Sequence, residues 1–353
     1  MNDRVDEFRS RILERKPLRI RGGGSKDFYG GPLAGEVLDT RGHSGIVGYE
    51  PTELVITARG GTPLAEIKSS LATRRQMLAF EPPSFGDGAT IGGVVAAGLS
   101  GPRRATAGAV RDFVLGVKIL DGAGRLLTFG GQVMKNVAGY DVSRLIAGSL
   151  GTLGLIAEVS LKVLPVPAAE ETLRFELPQD KALEAMNRWA GQPLPVSATC
   201  WHDGVLTLRL SGARAAVASA CESLGGEKVG GSGTASFWES LREQRHAFFA
   251  GNGHDGALWR LSVPSVAGVL DLSGPTLIEW GGAQRWIRRD AGGADLRALA
   301  ARVGGHATLF RGGDKSLGAF QPLDPVLARI HRDLKRAFDP RGIFNPGRLY
   351  PDF

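Results

Sequence analysis

The chain is poor in cysteine, poor in histidine and free of long apolar runs, and each shortage excludes something. Two cysteines in 353 residues, Cys200 and Cys221, cannot build a disulfide framework or ligate an iron–sulfur cluster. They read as buried thiols of a reducing compartment. The six histidines are scattered and show no metal-ligand spacing, so no metal site is expected. The weakly polar run Ala89 to Gly101 is glycine-rich and too short to span a bilayer. The N-terminus is charged and helical in pattern, with Val5, Phe8, Ile12 and Leu13, and has no signal-peptide core. A cytoplasmic protein is expected, with any membrane contact made through a partner. The formal charge of +7 comes from scattered basic residues, without a Lys/Arg block, an aromatic RNA-binding signature or zinc spacing, so nucleic acid is not the expected partner. No Gly-x-Gly-x-x-Gly opens a helix after a strand, which disfavours a nicotinamide-binding Rossmann fold. Lys26 lacks the upstream spacing of a Walker loop.

What the chain does have is glycine. The stretch Arg21-Gly22-Gly23-Gly24-Ser25-Lys26 follows the apolar run Leu18-Arg19-Ile20 and precedes a turn at Asp27 to Gly31. Three glycines without Cβ let the backbone bend through positive φ and approach a ligand closely. Successive N–H groups in such a bend make an anion nest, and Arg21, Ser25 and Lys26 add donors suited to a diphosphate. Read alone, the segment also fits a flexible glycine-rich loop.

The length allows two domains with cores of their own. Strands are expected at Glu36 to Thr40, Gly45 to Tyr49, Glu53 to Ala58 and Met77 to Phe80, with a helix starting at Thr62 as N-cap and Pro63 as its first residue. Thr90 caps a helix made almost wholly of Gly, Ala and Val. Asp121-Gly122-Ala123-Gly124 marks a hairpin between Phe113 to Leu120 and Arg125 to Phe129. Tyr140 to Ala147 reads as a helix, and a second glycine loop, 148–154, leads into the strand Leu155 to Leu164. Pro165 and Pro167 mark a boundary. Beyond it, strands at Thr172 to Leu177, Val205 to Leu210, Ala257 to Val263, Thr276 to Trp280, Gln284 to Ile287 and Ala307 to Phe310 alternate with helices, including Phe237 to Phe249. The pattern is that of an antiparallel sheet with helices on one face. A last helix spans Pro325 to Phe338.

In this order, the glycine loop, Glu81-Pro82-Pro83, Ile91-Gly92-Gly93, Gly101-Pro-Arg-Arg, Arg111-Asp-Phe-Val-Leu-Gly, Val133 to Asp141, Gly148 to Val159, Trp280-Gly-Gly-Ala, Gly304-Gly-His-Ala-Thr and Asn345-Pro346-Gly347 resemble the vanillyl-alcohol-oxidase, or PCMH-type, FAD-binding family, and within it the FAD-binding subunits of bacterial glycolate oxidase. The resemblance runs from end to end. It implies an α+β chain: a two-part PCMH-type FAD-binding domain (1–167), an α+β cap with an antiparallel sheet (168–325), and a tail (326–353) returning to the FAD domain.

The resemblance also implies roles. Arg21, Gly22, Gly23, Gly24, Ser25 and Lys26 would wrap the FAD diphosphate. Pro83, Ser84, Gly86, Thr90, Gly92, Gly93, Ala97 and Gly98 would lie along the ribityl chain and flavin, with Gly101, Arg104 and Gly108 continuing that wall. Ile156 would meet the adenine end. Many relatives tether FAD through a His placed where this chain has Ser25, so noncovalent FAD is expected; His43 reads as an ordinary surface residue. Related dehydrogenases carry a paired metal-binding His in the cap, whereas here His202, His246, His254, His306 and His331 are isolated in sequence. His306 is the candidate base, and Arg104, Arg285 or Arg311 the candidate carboxylate clamp for a small 2-hydroxy acid. The expected role is the FAD subunit of a glycolate-oxidising complex, making glyoxylate with a flavin-bearing D subunit and an iron–sulfur F subunit. The alternatives are a self-sufficient 2-hydroxyacid dehydrogenase and a non-catalytic flavin scaffold.

Overall fold

A computed structural model describes residues 3–131, 141–231, 233–250, 256–289, 293–316 and 318–352. The chain divides into two units. The first comprises Met1–Leu99, Ala109–Pro165 and Asp314–Phe353; the second comprises Ser100–Gly108 and Val166–Gly313.

In the first unit, five strands form an antiparallel sheet in the order Ile46–Glu50, Val55–Arg59, Leu155–Lys162, Val114–Leu120, Leu126–Gly130. Its centre is Leu155–Lys162, an apolar run with most side chains buried on both faces. The hairpin turn is held by Asp121, whose Oδ1 accepts from the N–H groups of Ala123 (3.0 Å) and Arg125 (2.8 Å). A separate parallel pair joins Leu18–Arg21 to Glu36–Asp39.

The tail closes this unit. Leu18 donates its N–H to Ile343 (2.7 Å), and Asn345 donates its own to Leu18 (2.8 Å), so residues 343–345 run beside the first strand. Ile343 and Phe344 thereby enter a core with Phe8, Ile12, Leu18, Leu38, Leu120 and Leu155.

Four expectations in this unit need correction. Gln76–Met77 is only a two-residue strand, paired with Leu164–Pro165, and Leu78, Ala79 and Phe80 are buried outside any ladder. The strand after the helix Leu64–Ala72 is therefore shorter than expected and pairs outside the five-stranded sheet, because burial rather than pairing explains the rest of the apolar run. The helix Leu64–Ala72 is capped at Pro63. Thr62 instead donates its hydroxyl to Arg59 (2.7 Å) and accepts from the Gly45 N–H (2.9 Å). His43 is half-buried against the edge of Phe8, and burial pushes its imidazole down. The helix after Asp141 is a single turn, Val142–Leu145, while Tyr140 and the rest of the Val133 to Tyr140 motif lie outside the described residues.

The second unit is one eight-stranded sheet whose neighbouring pairs are all antiparallel. The helices Gln179–Ala190 and Arg214–Leu224 cover one half of one face, on Leu173, Leu206, Leu208 and Ile278. Gly293–Arg302 covers the other half, on Trp259, Leu261, Ile287 and Leu309. The strand Val196–His202 escaped the sequence reading because five consecutive residues are buried, which erases the two-residue alternation that marks a half-exposed strand. The expected helix Phe237 to Phe249 is two helices, Gly233–Arg242 and Ala247–Ala250. The chain breaks at Gln244, in the left-handed region at φ 55°, and both Arg245 and His246 donate back to the Ser240 carbonyl.

The tail is fixed by a buried ion pair. Lys335 donates to Asp339 (2.7 Å) and to the carbonyls of Thr152 (2.8 Å) and Phe344 (2.9 Å). Asp339 also accepts from the N–H groups of Ile343 and Phe344. Burial pushes the Lys335 ammonium down, and its bond to Asp339 opposes that shift. Removing one member strands the other's charge in a site with almost no solvent access. Asp339→Ala is expected to destabilise the protein by about 3–5 kcal/mol. Urea unfolding followed by far-UV circular dichroism, which reports on both units, measures this, and a loss under about 1 kcal/mol would contradict a buried anchor.

Candidate functional site

The glycine stretch forms one wall of a cavity in the first unit. Residues 21–26 line it together with Thr90, Gly93, Ala96, Ala97 and Leu150, and Asn345 and Arg348 reach it from the tail. The glycines are there because nothing larger fits. A Cβ on Gly23 would lie 1.5 Å from the Gly88 carbonyl oxygen, and one on Gly22 would lie 2.2 Å from Thr90 Oγ1. Of the three, only Gly24 needs the left-handed region, at φ 74°. The loop is thus pressed against residues 88–90, and those contacts set its glycine requirement.

Four basic side chains, Arg19, Arg21, Lys26 and Arg348, line the cavity beside one carboxylate, Asp27. Arg19 and Arg21 both donate to Asp27 Oδ2, the latter at 3.0 Å. Lys26 reaches the Ser84 carbonyl (3.3 Å) and lies over the Phe85 ring. Arg348 donates to the carbonyls of Asp27, Tyr29 and Gly31, and burial lowers its guanidinium to about 10. Arg19 Nε is buried without a partner among the described residues. An unpaired buried donor, a surplus of cations and a wall free of Cβ atoms fit an FAD diphosphate. Noncovalent retention is compatible with Ser25, whose hydroxyl accepts from Lys26 at 3.3 Å.

Backbone strain collects in the same unit. Glu81, Phe85, Leu150 and Asn345 are non-glycine residues at φ 47°, 52°, 52° and 42°. Such conformations cost of order 1–3 kcal/mol each and concentrate at ligand sites. The sequence reading missed Asn345, Arg348, Leu150, Arg19 and Asp27 as lining groups. Asn345-Pro346-Gly347 was visible as a closing motif, but nothing local tells that it folds back onto the first strand.

The remaining nominated residues divide. Pro83, Ser84, Gly86, Gly92, Gly98 and Ile156 belong to the first unit without lining this cavity. Gly92 faces Gly60, and Gly98 ends the helix Ile91–Ala97 at φ 65°. Gly101, Arg104 and Gly108 belong to the second unit. There Gly101 accepts from Trp280 Nε1 (3.1 Å), and the Arg104 guanidinium stacks 4.5 Å over the Trp280 ring.

Arg285, expected as a substrate clamp, is bonded to the backbone of its own unit. It is fully buried and donates to the carbonyls of Gly268 (2.7 Å), Gly282 (3.2 Å) and Ala267, pinning a loop of its own unit. Burial accordingly lowers it to about 10. Arg311 donates to Gln244 Oε1 (3.1 Å). His306 is exposed at the start of the edge strand His306–Arg311. His202 and His246, isolated in sequence, are neighbours in space, with ring centroids 5.5 Å apart. His254 lies outside the described residues. Both cysteines are buried and free. Among the described residues, no three His, Cys, Asp or Glu side chains gather as metal ligands, and no helix is long and apolar enough to cross a membrane.

Comparison with known proteins agrees with this geometry. The FAD binding domain family matches residues 11–130, and the C-terminal domain of FAD linked oxidases matches 320–349. Glycolate oxidase subunit GlcE of Escherichia coli (strain K12) is 50% identical over 99% of this chain and 97% of its own length. Glycolate oxidase subunit GlcD of Bacillus subtilis (strain 168) is 32% identical over 48% of this chain and 37% of its own. In structure, an alkyldihydroxyacetonephosphate synthase aligns over 97% of this chain and 74% of its own with a TM-score of 0.67 at 16% identity, which establishes the shared fold. Near-complete coverage at half identity, with both FAD-oxidase segments in their places, makes the chain a member of the FAD-binding glycolate oxidase subunit family.

Proposed function

We propose that this chain is the FAD-carrying subunit of a glycolate-oxidising assembly, working with a flavin-bearing D-type subunit and an iron–sulfur F-type subunit. The observation that carries the reading is the cavity of the glycine loop, with its four basic side chains and its orphaned Arg19 nitrogen. Bound FAD supplies the two-electron acceptor for converting glycolate to glyoxylate. The chain's own residues bind and orient it. Loop N–H groups and the cations of Arg21 and Lys26 offset the phosphate charge, at about 1.5–3 kcal/mol per charge-assisted bond. Thr90, Gly93 and Ala97 offer a smooth wall for close approach.

Partners are required for onward electron flow because two buried cysteines cannot hold a cluster. The nominated catalytic groups point the same way. Arg285 is committed to backbone carbonyls, Arg104 is stacked on Trp280, and His306 stands exposed on an edge strand. Any membrane association would then come through the partner subunits.

Gly23→Ala drives a methyl into the Gly88 carbonyl. It is expected to give protein with under a tenth of the normal visible flavin absorbance. Gly48→Ala, whose Cβ meets nothing within 4 Å, should keep full absorbance. Full flavin in the Gly23 variant would remove the loop from the cofactor site. Acid denaturation of the wild-type protein should release all the flavin to the supernatant, whereas flavin fluorescence on the denatured polypeptide would show a tether elsewhere. With glycolate and an artificial electron acceptor, sustained turnover is expected only with the partner subunits present. Turnover by the flavin-loaded chain alone at the assembly's rate would make it a self-sufficient dehydrogenase.

A further inference from the structure

The helix Pro325–Phe338 sits in the first unit inside out. A surface helix ordinarily turns its apolar stripe to the core and its charges to water. Here the fully buried side chain is Lys335, held by Asp339 and the carbonyls of Thr152 and Phe344. The apolar side chains face elsewhere: Val326 is 57% exposed, and Leu327 and Ile330 are each 46% exposed. At about 100° per residue, Val326, Leu327, Ile330, the half-buried Leu334 and the exposed Ala337 share an arc of about 100°. Lys335 lies about 130° from the middle of that arc. Single exposed apolar side chains are ordinary, whereas contiguous ones rimmed by polar groups mark contact surfaces.

The stripe is also held in place. Asp324 Oδ1 accepts from the N–H groups of Val326 (2.9 Å) and Leu327 (3.1 Å), which fixes the start of the helix. Lys335 anchors the last turn, and Phe338 packs against Phe129 with ring centroids 6.1 Å apart. A partner that docks here meets an ordered surface and loses little entropy in ordering it.

Charge narrows the choice of occupant. Arg329 and Arg336 run along one border of the stripe. Arg336 is paired with Asp333, and Arg332 with Asp352 (3.2 Å). Arg329 has no hydrogen bond or ion pair among the described residues, nor has Arg341, exposed just past the helix. The border therefore carries a surplus of positive charge, as does the whole chain at +7. A fitting surface is apolar, with carboxylates at the edge that faces Arg329. An antiparallel second copy would set the two arginine borders along the same edge, like charge beside like charge. An anionic bilayer suits a polar face made of cations, whereas Asp324, Asp333 and Asp352 stand exposed around this stripe.

We infer that the stripe of Val326, Leu327 and Ile330 is a docking face for a different protein chain, one that offers an apolar ridge bordered by carboxylates. The inference rests on the proposed function only for its probes, the partner subunits of the assembly.

Titration of the immobilised, flavin-loaded full chain with the D-type and F-type subunits, each separately, tests it. At least one subunit is expected to bind. Ile330→Glu places a carboxylate within the stripe and should weaken that binding at least ten-fold. Arg329→Glu should weaken it at least three-fold at about 0.05 M salt, with the gap from wild type closing at about 0.5 M as screening shortens the reach of the charge. Val266→Ser, at a residue 78% exposed in the second unit, should bind as wild type does. All three variants should keep wild-type flavin absorbance and circular dichroism, because the altered side chains are exposed. Wild-type affinity in Ile330→Glu, or an equal loss in Val266→Ser, would overturn the docking face and leave the assembly standing. Failure of the wild-type chain to bind either subunit would overturn the assembly and the docking face with it. Self-association of the chain, or its flotation with phosphatidylglycerol vesicles, abolished by Ile330→Glu would put a second copy or a bilayer on the stripe and overturn the assignment.

Discussion

The side-chain amide of Asn345 is the constraint on which the first unit depends. Its Oδ1 accepts from the Ile20 N–H (2.8 Å), and its Nδ2 donates to the Leu150 carbonyl (2.6 Å). One residue thereby ties the first strand to the second glycine loop, across sequence separations of 325 and 195 residues. A glycine triplet has no rigidity of its own, since glycine loses more backbone freedom on ordering than any other residue. The order must come from neighbours. Asn345 fixes the strand before the loop, residues 88–90 press on its middle, and Arg348 holds the carbonyls after it. The left-handed conformations of Leu150 and Asn345 are sustained by the bonds they share. Such long-range closure is also slow to form, because loop entropy is lost before the contacts compensate it.

The second unit follows a different logic, set by the two faces of one sheet. The helix-covered face is apolar and conventional. The opposite face carries polar groups that are buried only because they are paired. Glu279 accepts from Gln284 Nε2 (3.0 Å) and Trp286 Nε1 (2.7 Å), and Arg209 stacks over Trp238 while donating to Ser197. Buried polar groups are costly unless each finds a partner, and these find theirs within the unit.

Legibility in the sequence tracked how local each cause was. The glycine loop, the Asp121 hairpin, the Thr90 cap and the long final helix were readable, since each is decided within a few residues. The antiparallel sheet of the second unit was readable from its strand spacing, except at Val196–His202, where burial on both faces hides the period. The surroundings of the charged candidates were not readable. An arginine in a sequence looks like a clamp for a ligand, yet Arg285 spends its donors on three backbone carbonyls, an arrangement created only when the loop at Ala267 and Gly268 folds over it. The proximity of His202 and His246 was equally hidden, since they lie on different elements and the chain breaks at Gln244 before His246. Nothing near Asn345 or Arg348 indicates the strand they return to.

Cofactor retention and the C-terminal anchor are therefore one problem. If FAD is held by hydrogen bonds alone, its affinity depends on the fraction of time the glycine loop is ordered. That order is supplied by Asn345 and Arg348, which in turn sit on the Lys335–Asp339 pair through Ile343 and Phe344. By linkage, a ligand that binds only the ordered loop stabilises the tail by the same free energy that the tail lends to binding. A covalent tether would break this reciprocity, because a linked flavin stays with the loop whether or not the loop is ordered. On the proposed noncovalent reading, the chain must instead keep residues 339–348 docked to keep its cofactor. The side-chain bonds of Asn345 and Arg348 are where the tail reaches the walls of this cavity.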